Sequence, residues 1–317
     1  MMPHLQNKLR GIIPPLVTPL RADGTLDRAA VERLVAHVLA GGVHGLFILG
    51  TTGEGPSLPY GLRRKFVSQV CAIVGQRVPV LVGITDTIFD ESIALSKYAT
   101  DCGATAVVVA PPYYSPVSQD ELWAYFESLG QTLPLPFYIY NIPGMTKVSI
   151  GEEVVRRCLD LRNCRGLKDS SGDFHYFKRM QRIVAPSGVH SIFIGPEELL
   201  AESLFSGGDG GVSGGANVWP ELYTRIFALT EAGDWPGAQA AQARVMEVSR
   251  KVYSIGGYGS TVTKALKMAL DLQGICGPAM ALPHLGWDEA ARVTLRRELS
   301  ALGLSGTRPE LQECPAK

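Results

Sequence analysis

Short apolar segments recur along the chain, and each is followed by a longer segment with helical periodicity. We interpret eight of them as strands, near residues 11–18, 44–49, 78–84, 105–110, 136–140, 164–168, 191–194 and 210–213. Strands that alternate with helices in this way are typical of parallel βα units. Their spacing of about thirty residues fits a (β/α)8 TIM barrel, which needs roughly 250 residues. The sequence therefore predicts an α/β fold of this class.

Local signals mark where some of the helices begin. Asp27 precedes a segment with apolar residues at helical spacing, and the pair Gly41-Gly42 follows that segment. Ser118 lies three residues before Glu121, which is the pattern of a capping box. We therefore expect one helix to begin after Asp27 and another to begin after Ser118.

The chain continues well beyond the eighth predicted strand. Helical patterns near residues 236–255, 260–272 and 288–302 exceed what one closing helix requires. We predict a barrel that contains the active site over residues 1–235, a C-terminal helical appendage over 236–303 and a flexible tail over 304–317.

The composition excludes several classes of protein. The 317 residues are 46% hydrophobic and 19% charged, which suits a soluble enzyme better than a membrane or disordered protein. Lys plus Arg and Asp plus Glu number 30 each, so no net charge attracts nucleic acid or an acidic membrane. The N-terminal residues MMPHLQNKLR lack the apolar run of a signal peptide. We expect a cytoplasmic protein without nucleic-acid or membrane partners.

The spacing of cysteines and histidines gives no sign of a metal site. The six cysteines contain no C-x-x-C pair, and the six histidines form no H-E-x-x-H motif. We interpret the cysteines as buried reduced thiols. No metal and no organic cofactor is expected, which disfavours a metal-dependent aldolase.

Lys168 differs from the other nine lysines because it alone ends a predicted strand. The active site of a (β/α)8 barrel lies at the C-terminal ends of the strands, so this amine would lie in the barrel mouth. Desolvation there lowers the pKa of a lysine, and the neutral amine can attack a ketone. The alternative is a structural lysine that pairs with Asp169 or with a carboxylate from a loop.

Three further features lie at the same predicted edge of the barrel. Tyr140 ends strand five, where its phenol would transfer protons, unless it is a core tyrosine bonded to a backbone carbonyl. Residues 50–53 (G-T-T-G) follow strand two, and their amides would bind a carboxylate, unless they form a plain tight turn. The glycine-rich residues 207–215 would let a ligand or a neighbouring strand approach closely. Phosphate binding near strands seven and eight also stays open, because many barrels bind phosphate there.

Five short motifs together resemble those of one lyase family. They are G-T-T-G-E at residues 50–54, P-P-Y-Y at 111–114, Y-N-I-P at 140–143, G-L-K-D at 166–169 and G-G-D-G-G-V-S at 207–213. Each motif is common alone, but their order along the predicted strands is highly specific. Over about residues 10–303 the chain resembles the N-acetylneuraminate lyase and dihydrodipicolinate synthase family, whose class I lyases form a Schiff base with pyruvate.

This resemblance implies catalytic roles for four residues. Lys168 would be the Schiff-base lysine, and Tyr140 would be the proton shuttle. Thr51 and Tyr114 would complete a proton relay, in which Thr51 links the two tyrosines. No cofactor is implied.

The resemblance also implies contacts with substrate and with other subunits. Thr52 and the backbone at Val212 would hold pyruvate, whereas Tyr113 would cross a dimer interface in a homotetramer, a dimer of dimers. The turn after strand two and the loops after strands seven and eight supply further candidate substrate contacts: Gly53, Gly195, Glu197, Glu198 and Ser213.

Members of the family differ in the second substrate. Typical dihydrodipicolinate synthases carry an arginine two positions after the Y-N-x-P motif, and that arginine binds the carboxylate of aspartate semialdehyde. This chain has Met145 there, although Lys147 lies close enough in sequence to replace the cation. Glu197 and Glu198 would accept hydrogen bonds from sugar hydroxyls, or would only complement a helix dipole.

The leading interpretation is a class I lyase, an aldolase that cleaves or forms a 2-keto-3-deoxy acid of the sugar-acid or N-acetylneuraminate type. Its small-molecule partners would be pyruvate and an aldehyde. The alternatives are dihydrodipicolinate synthase (4-hydroxy-tetrahydrodipicolinate synthase), a sugar-acid dehydratase of the same family, and a noncatalytic keto-acid-binding protein.

Overall fold

The computed structural model describes residues 8–256 and 261–304. Within these ranges all eight predicted strands are present, each at the predicted place along the chain. Their bounds are β1 Gly11–Ile12, β2 Leu46–Ile48, β3 Val80–Gly83, β4 Ala106–Val109, β5 Phe137–Asn141, β6 Cys164–Asp169, β7 Ser191–Ile194 and β8 Gly210–Gly211. The first strand is shorter than predicted, because Pro14 and Pro15 have no N–H group to donate to a neighbouring strand.

Helices alternate with the strands and continue after the last strand. In the barrel they are α1 Arg28–Ala40, α2 Tyr60–Val74, α3 Phe89–Asp101, α4 Gln119–Thr132, α5 Pro143–Thr146, α6 Glu152–Leu159, α7 Phe174–Val184, α8 Leu200–Phe205 and α9 Pro220–Glu231. The appendage consists of α10 Trp235–Val252, α11 Thr261–Leu272 and α12 Glu289–Ala301. These three helices lie where the sequence predicts them. The division into domains stays a prediction, and nearly all of the predicted tail lies outside the described residues.

The strands form one parallel sheet that curls into a barrel. Hydrogen-bonded neighbours follow the order β1-β8-β7-β6-β5-β4-β3-β2. A parallel bridge between Pro15 and Phe47 joins β1 to β2, with the Leu16 amide donating to the Phe47 carbonyl at 2.8 Å. The fold is therefore the predicted (β/α)8 barrel.

Both predicted helix starts are confirmed. The carboxylate of Asp27 accepts a hydrogen bond from the Ala30 amide at 3.1 Å, which caps α1. Ser118 and Glu121 form the reciprocal bonds of a capping box at the start of α4. Each bond satisfies an amide that the first helical turn leaves without a partner.

Two apolar layers lie on the two faces of the sheet. The larger layer packs between the strands and the surrounding helices. The smaller layer fills the barrel interior and includes Phe47, Val108, Tyr138, Tyr140 and Phe193. Because side chains alternate along a strand, Tyr138 and Tyr140 point inward from β5 while Phe137 and Ile139 pack against helices.

Close strand packing explains one glycine next to the site. Gly166 in β6 has φ of 133°, and a Cβ atom at this position would lie 1.9 Å from the carbonyl oxygen of Ser191 in β7. A side chain would therefore push β7 away from β6. Gly166 keeps the strand that carries Lys168 in its ladder.

Two smaller properties concern the described residues only. No helix among them is both long enough and apolar enough to cross a membrane. Cys71, Cys158, Cys164 and Cys276 are buried free thiols and Cys102 is a half-buried one, whereas Cys314 lies outside the described ranges.

Candidate active site

Lys168 and Tyr140 lie side by side at the C-terminal ends of neighbouring strands. They are register partners between β6 and β5, and they are only 6% and 5% exposed. The amine Nζ lies 3.8 Å from the centroid of the Tyr140 ring and 4.8 Å from that of Phe47. Burial lowers the pKa of Lys168, although the nearby Tyr140 phenol opposes this shift. At a given pH, a larger fraction of this amine is therefore neutral than for a lysine in water.

Asp169, the residue next to Lys168, uses its carboxylate elsewhere. Asn141 donates to Asp169 Oδ1 at 2.8 Å, and the hydroxyl of Ser171 donates to Oδ2 at 3.0 Å. The Ser171 amide adds a third bond at 3.1 Å. Within the described ranges no carboxylate forms an ion pair with Lys168, so the interpretation of Lys168 as a paired structural lysine finds no support.

The phenol of Tyr140 is at the centre of a small polar group. Burial raises the pKa of Tyr140. The charge of Lys168 and hydrogen bonds to Ser170, Thr51 and Lys168 lower this pKa by more than burial raises it. The net pKa is below the ordinary value for tyrosine. A phenol with these partners can gain and lose a proton more readily than an isolated one.

Ser170 is not among the residues that the sequence predicts for the site. This residue is two positions after Lys168, and side chains two apart on a strand share a face. The same alternation that places Lys168 in the barrel mouth therefore also places Ser170 beside Tyr140, so the signal was present in the sequence.

The turn after β2 holds Thr51 close to this group. The Glu54 amide donates to the Thr51 carbonyl at 3.0 Å, and the Gly55 amide donates to the Gly50 carbonyl at 3.2 Å. A Cβ atom on Gly55 would lie 2.1 Å from the Leu49 carbonyl oxygen, so only glycine allows the turn to close in this way. The amides of Thr51 and Thr52 donate to no acceptor in the described part of the chain. They remain available to an anion.

A cavity of about 320 Å³ opens next to Tyr140. Thr51 and Tyr140 line it, and so does Phe47, whereas Lys168 lies against the Tyr140 and Phe47 rings without lining the cavity itself. The remaining wall is largely apolar and extends to α5 and the appendage. It includes Leu49, Ile142, Met145 and Met280, together with the ring of His284.

A match to a family model agrees with this geometry. The model of the dihydrodipicolinate synthetase family matches residues 8–302. The chain belongs to this family. It is accordingly a carbon–carbon lyase of the aldolase type.

Relatives and solved structures of the dihydrodipicolinate synthetase family cover nearly the whole chain. A 4-hydroxy-tetrahydrodipicolinate synthase from Hyphomonas neptunium is 34% identical and covers 93% of this chain and 99% of its own. Dihydrodipicolinate synthase from Bacteroides thetaiotaomicron is 43% identical, with a TM-score of 0.90, over 92% of this chain and 98% of its own. YagE, a prophage protein from E. coli K12 solved in complex with pyruvate, is 30% identical, with a TM-score of 0.88, over 93% and 99%.

The two tyrosines of the P-P-Y-Y motif have different surroundings within one chain. Tyr113 is half-buried and lines the cavity of its own chain. Tyr114 is 87% exposed and does not line the cavity. Within one chain, Tyr114 is therefore not brought to the Thr51–Tyr140 pair, and it can join a relay only by entering the site of a neighbouring subunit. The roles expected for Tyr113 and Tyr114 remain predictions.

The two glutamates after β7 have partners away from the cavity. Glu197 is buried and accepts hydrogen bonds from the Gly215 amide at 2.7 Å and from the hydroxyls of Tyr223 and Tyr253. Burial raises the pKa of Glu197 to about 7. Glu198 accepts a hydrogen bond from the hydroxyl of Ser249 in α10. The structure does not bring either carboxylate to the cavity wall, and their contacts with sugar hydroxyls remain predictions.

Other predicted substrate contacts lie near the site without lining the cavity. The Val212 amide donates to the Ile194 carbonyl at 2.8 Å, and within the described ranges the Val212 carbonyl accepts no backbone hydrogen bond. The Ser213 hydroxyl is buried and finds no hydrogen-bond partner in the described ranges. Gly195 packs closely against Ser170. A Cβ atom on Gly195 would lie only 1.9 Å from the Ser170 Oγ. Gly53 is buried in the turn after β2.

A buried ion pair joins the turn after β2 to the appendage. Lys267 in α11 is 0% exposed and contacts the Glu54 carboxylate, and it also donates to the Ala279 carbonyl at 2.7 Å. The other oxygen of Glu54 accepts a bond from the Ala281 amide at 2.7 Å. Sequence analysis missed this pair, since no local pattern relates two residues so far apart in the chain.

Proposed function

We propose that this lyase forms or releases pyruvate through an imine between Lys168 and a 2-keto acid. One observation carries the proposal: the buried amine of Lys168, which pairs with no carboxylate of the described residues, lies against the ring of Tyr140 at the mouth of the barrel. The pyruvate complex of the relative YagE supports the choice of keto acid. The match to the family model supports the class of reaction.

The proposed chemistry begins with the neutral amine of Lys168. Its nitrogen attacks the keto carbon, and the resulting carbinolamine loses water to give a protonated imine. The positive nitrogen then accepts electron density as the bond beyond the adjacent carbon breaks or forms. Tyr140 supplies and removes the protons that these steps require, and its bond to Thr51 gives a path outward. The free amides of Thr51 and Thr52 would bind the keto-acid carboxylate.

Two second substrates are candidates for this chemistry. The first is the aldehyde half of a 2-keto-3-deoxy acid of the sugar-acid or N-acetylneuraminate type, the leading interpretation of the sequence. The second is the semialdehyde used by 4-hydroxy-tetrahydrodipicolinate synthases, and the names of the relatives favour it. Met145 is uncharged and offers no cation for the carboxylate of the semialdehyde, which argues against that substrate. Glu197 and Glu198 already accept hydrogen bonds from the protein, which argues against a polyhydroxylated sugar.

Reductive trapping tests the imine directly. Incubation with pyruvate and sodium borohydride should add one reduced pyruvyl group, and peptide mass spectrometry should locate it at Lys168. Because burial lowers the pKa of Lys168, the trapping rate should reach half its maximum below pH 10.5. The Lys168→Arg variant is the control. An adduct at another lysine, or none at all, would refute the proposal.

Product analysis distinguishes the candidate activities: lyase, synthase, dehydratase and noncatalytic binder. A lyase liberates pyruvate from 2-keto-3-deoxy acids, a synthase consumes pyruvate with aspartate semialdehyde, and a dehydratase retains the whole carbon skeleton. A noncatalytic binder would form the imine without turnover of any of these compounds.

We also propose that the chain assembles into a homotetramer. Support comes from Tyr114, a large side chain that is 87% exposed next to the mouth of the barrel. Light scattering of the purified protein checks the mass. Mixed assemblies of Tyr114→Phe and Lys168→Arg chains would show whether Tyr114 acts in a neighbouring site.

A further inference from the structure

The outer part of the cavity, which the imine chemistry leaves unused, has an apolar wall. Beyond Tyr140, the side chains of Ile142 and Met145 line it from the segment after β5, and Met280 lines it from the segment after α11. Leu49 and Pro56 complete this apolar surface from the turn after β2. Since Tyr140 and this wall line the same cavity, an aldehyde that reacts at an imine beside Tyr140 would place its substituent against the wall.

No lysine or arginine lines this wall in the described part of the chain. Two basic residues that lie near lining segments in sequence have partners elsewhere. Lys147 is exposed and donates to the Gly144 carbonyl at 2.9 Å. Arg63 forms an ion pair with Asp86 at 2.8 Å and also bonds the Leu58 carbonyl. A carboxylate on the aldehyde would therefore lose water here without gaining a cation.

Among the described residues, Glu54 is the carboxylate on this wall. It lines the cavity, and its two oxygens already contact Lys267 and the Ala281 amide. This ion pair leaves neither the Glu54 carboxylate nor the buried Lys267 amine free to bind a charged substituent. Other polar groups on the cavity wall include the hydroxyls of Ser57 and Thr263 and the ring of His284.

Resting on the proposed imine chemistry, we propose that the second substrate is an aldehyde with an uncharged, apolar substituent, which packs against Met145 and Met280. Flexible thioether side chains adapt to aliphatic or aromatic groups of different shape. Met145 is the specificity-determining residue, because its uncharged side chain lines the wall against which the substituent would pack. Its 53% exposure lets water reach part of this subsite, so the selectivity is moderate.

Two aldehydes of similar shape test the inference. 4-Methylpentanal and 4-oxobutanoate differ mainly in an isopropyl group against a carboxylate at the far end. Each is incubated with the full-length enzyme and saturating pyruvate, and kcat/KM for the 2-keto acid product is measured by mass spectrometry. We expect kcat/KM to be at least about tenfold higher for 4-methylpentanal.

Three variants sharpen the result. Met145→Arg should move the ratio of the two kcat/KM values toward 4-oxobutanoate by at least about tenfold, whereas the size-matched Met145→Leu should keep the wild-type ratio. Lys147→Met should also keep it, because the Lys147 amine bonds the backbone of its own turn. A change of ratio in Lys147→Met would assign the charge discrimination to Lys147 and overturn the role of Met145.

The outcomes separate this inference from the proposed function. If borohydride traps pyruvate on Lys168 but the wild-type enzyme prefers 4-oxobutanoate, or uses neither aldehyde, the inference is wrong and the imine mechanism stands. If no pyruvate is trapped on Lys168, the proposed function fails and the inference fails with it.

Discussion

Two lysines of this barrel are almost equally buried and yet have opposite surroundings. Lys267, in the appendage, is 0% exposed and contacts the Glu54 carboxylate and the Ala279 carbonyl. Lys168, in the barrel mouth, is 6% exposed and faces the rings of Tyr140 and Phe47. Burial lowers the pKa of both, but a full negative charge opposes the shift at Lys267 whereas only a phenol opposes it at Lys168. The partner, not the burial, distinguishes the structural cation Lys267 from Lys168, the proposed nucleophile.

The Glu54–Lys267 pair also connects the two regions. Glu54 lies in the turn that carries Thr51, and its second oxygen holds the Ala281 amide beside Met280. One ion pair therefore fixes both the turn beside Tyr140 and the appendage wall of the cavity. The appendage is part of the site and not an inert addition to the barrel.

Replacing Lys168 should have the largest effect on activity. Lys168→Arg keeps a positive charge but cannot form the imine, so kcat should fall by at least about 10⁴-fold. Steady-state pyruvate release measures the loss, and circular dichroism checks that the fold is retained. Activity within tenfold of the wild type would show that the two lysines do not differ in the way proposed here.

Replacing Lys267 should instead reduce stability. Lys267→Met leaves the Glu54 carboxylate buried without its cation, which should lower the free energy of unfolding by about 3–5 kcal/mol. Urea unfolding followed by fluorescence measures the change. The matched double variant Lys267→Met with Glu54→Gln removes the orphaned charge and should recover part of the loss. A double variant that is less stable than the single one would contradict this account of the pair.

Removing the phenol should have a smaller effect on catalysis than removing the amine. Tyr140→Phe retains the ring beside Lys168 but cannot transfer protons, so kcat should fall by about 10²–10³-fold. The Tyr140 phenol also raises the pKa of Lys168, so trapping of pyruvate by the variant should reach half its maximum at lower pH than in the wild type. An unchanged kcat would exclude Tyr140 as the proton donor and acceptor.

Glu197 is also buried, but within the described ranges it forms no ion pair with a cation. The pKa of Glu197 is raised by burial from an ordinary 4.5 to about 7, so the folded state favours the protonated form. Its contribution to stability is fully present below pH 4.5 and is lost as the pH rises through about 7.

The titration of Glu197 should lower the free energy of unfolding by about 2 kcal/mol between pH 5 and pH 8. Glu197→Gln should flatten that part of the profile, as measured by urea unfolding at several pH values. A variant with the full wild-type pH dependence would place the titration elsewhere.

The elements that the sequence predicts best are those that follow a local period. Apolar runs located all eight strands, and the end of an apolar run located both Lys168 and Tyr140, because position along a strand determines where a side chain points. The helix caps at Asp27 and Ser118 were also predictable from the sequence, since each cap involves residues only three apart.

What the sequence could not supply are contacts between distant segments. In the sequence, Lys267 has the pattern of an ordinary helical lysine. Its contact with Glu54 exists only because the fold places α11 beside the turn after β2. Met280 and His284 follow the helix without any periodic pattern, so their place on the cavity wall is visible only in three dimensions. Tyr113 and Tyr114 are adjacent in a loop, where no period determines which of the two faces the cavity.

The register between β5 and β6 has a consequence for how new activities arise in such a barrel. Tyr140 and Lys168 are opposite each other in the ladder, so backbone hydrogen bonds hold the amine beside the phenol. The wall proposed to contact the aldehyde comes from segments outside the sheet, which can be exchanged without moving that ladder. Mutagenesis libraries confined to α5 and to the residues after α11 should therefore alter substrate preference while preserving the catalytic step.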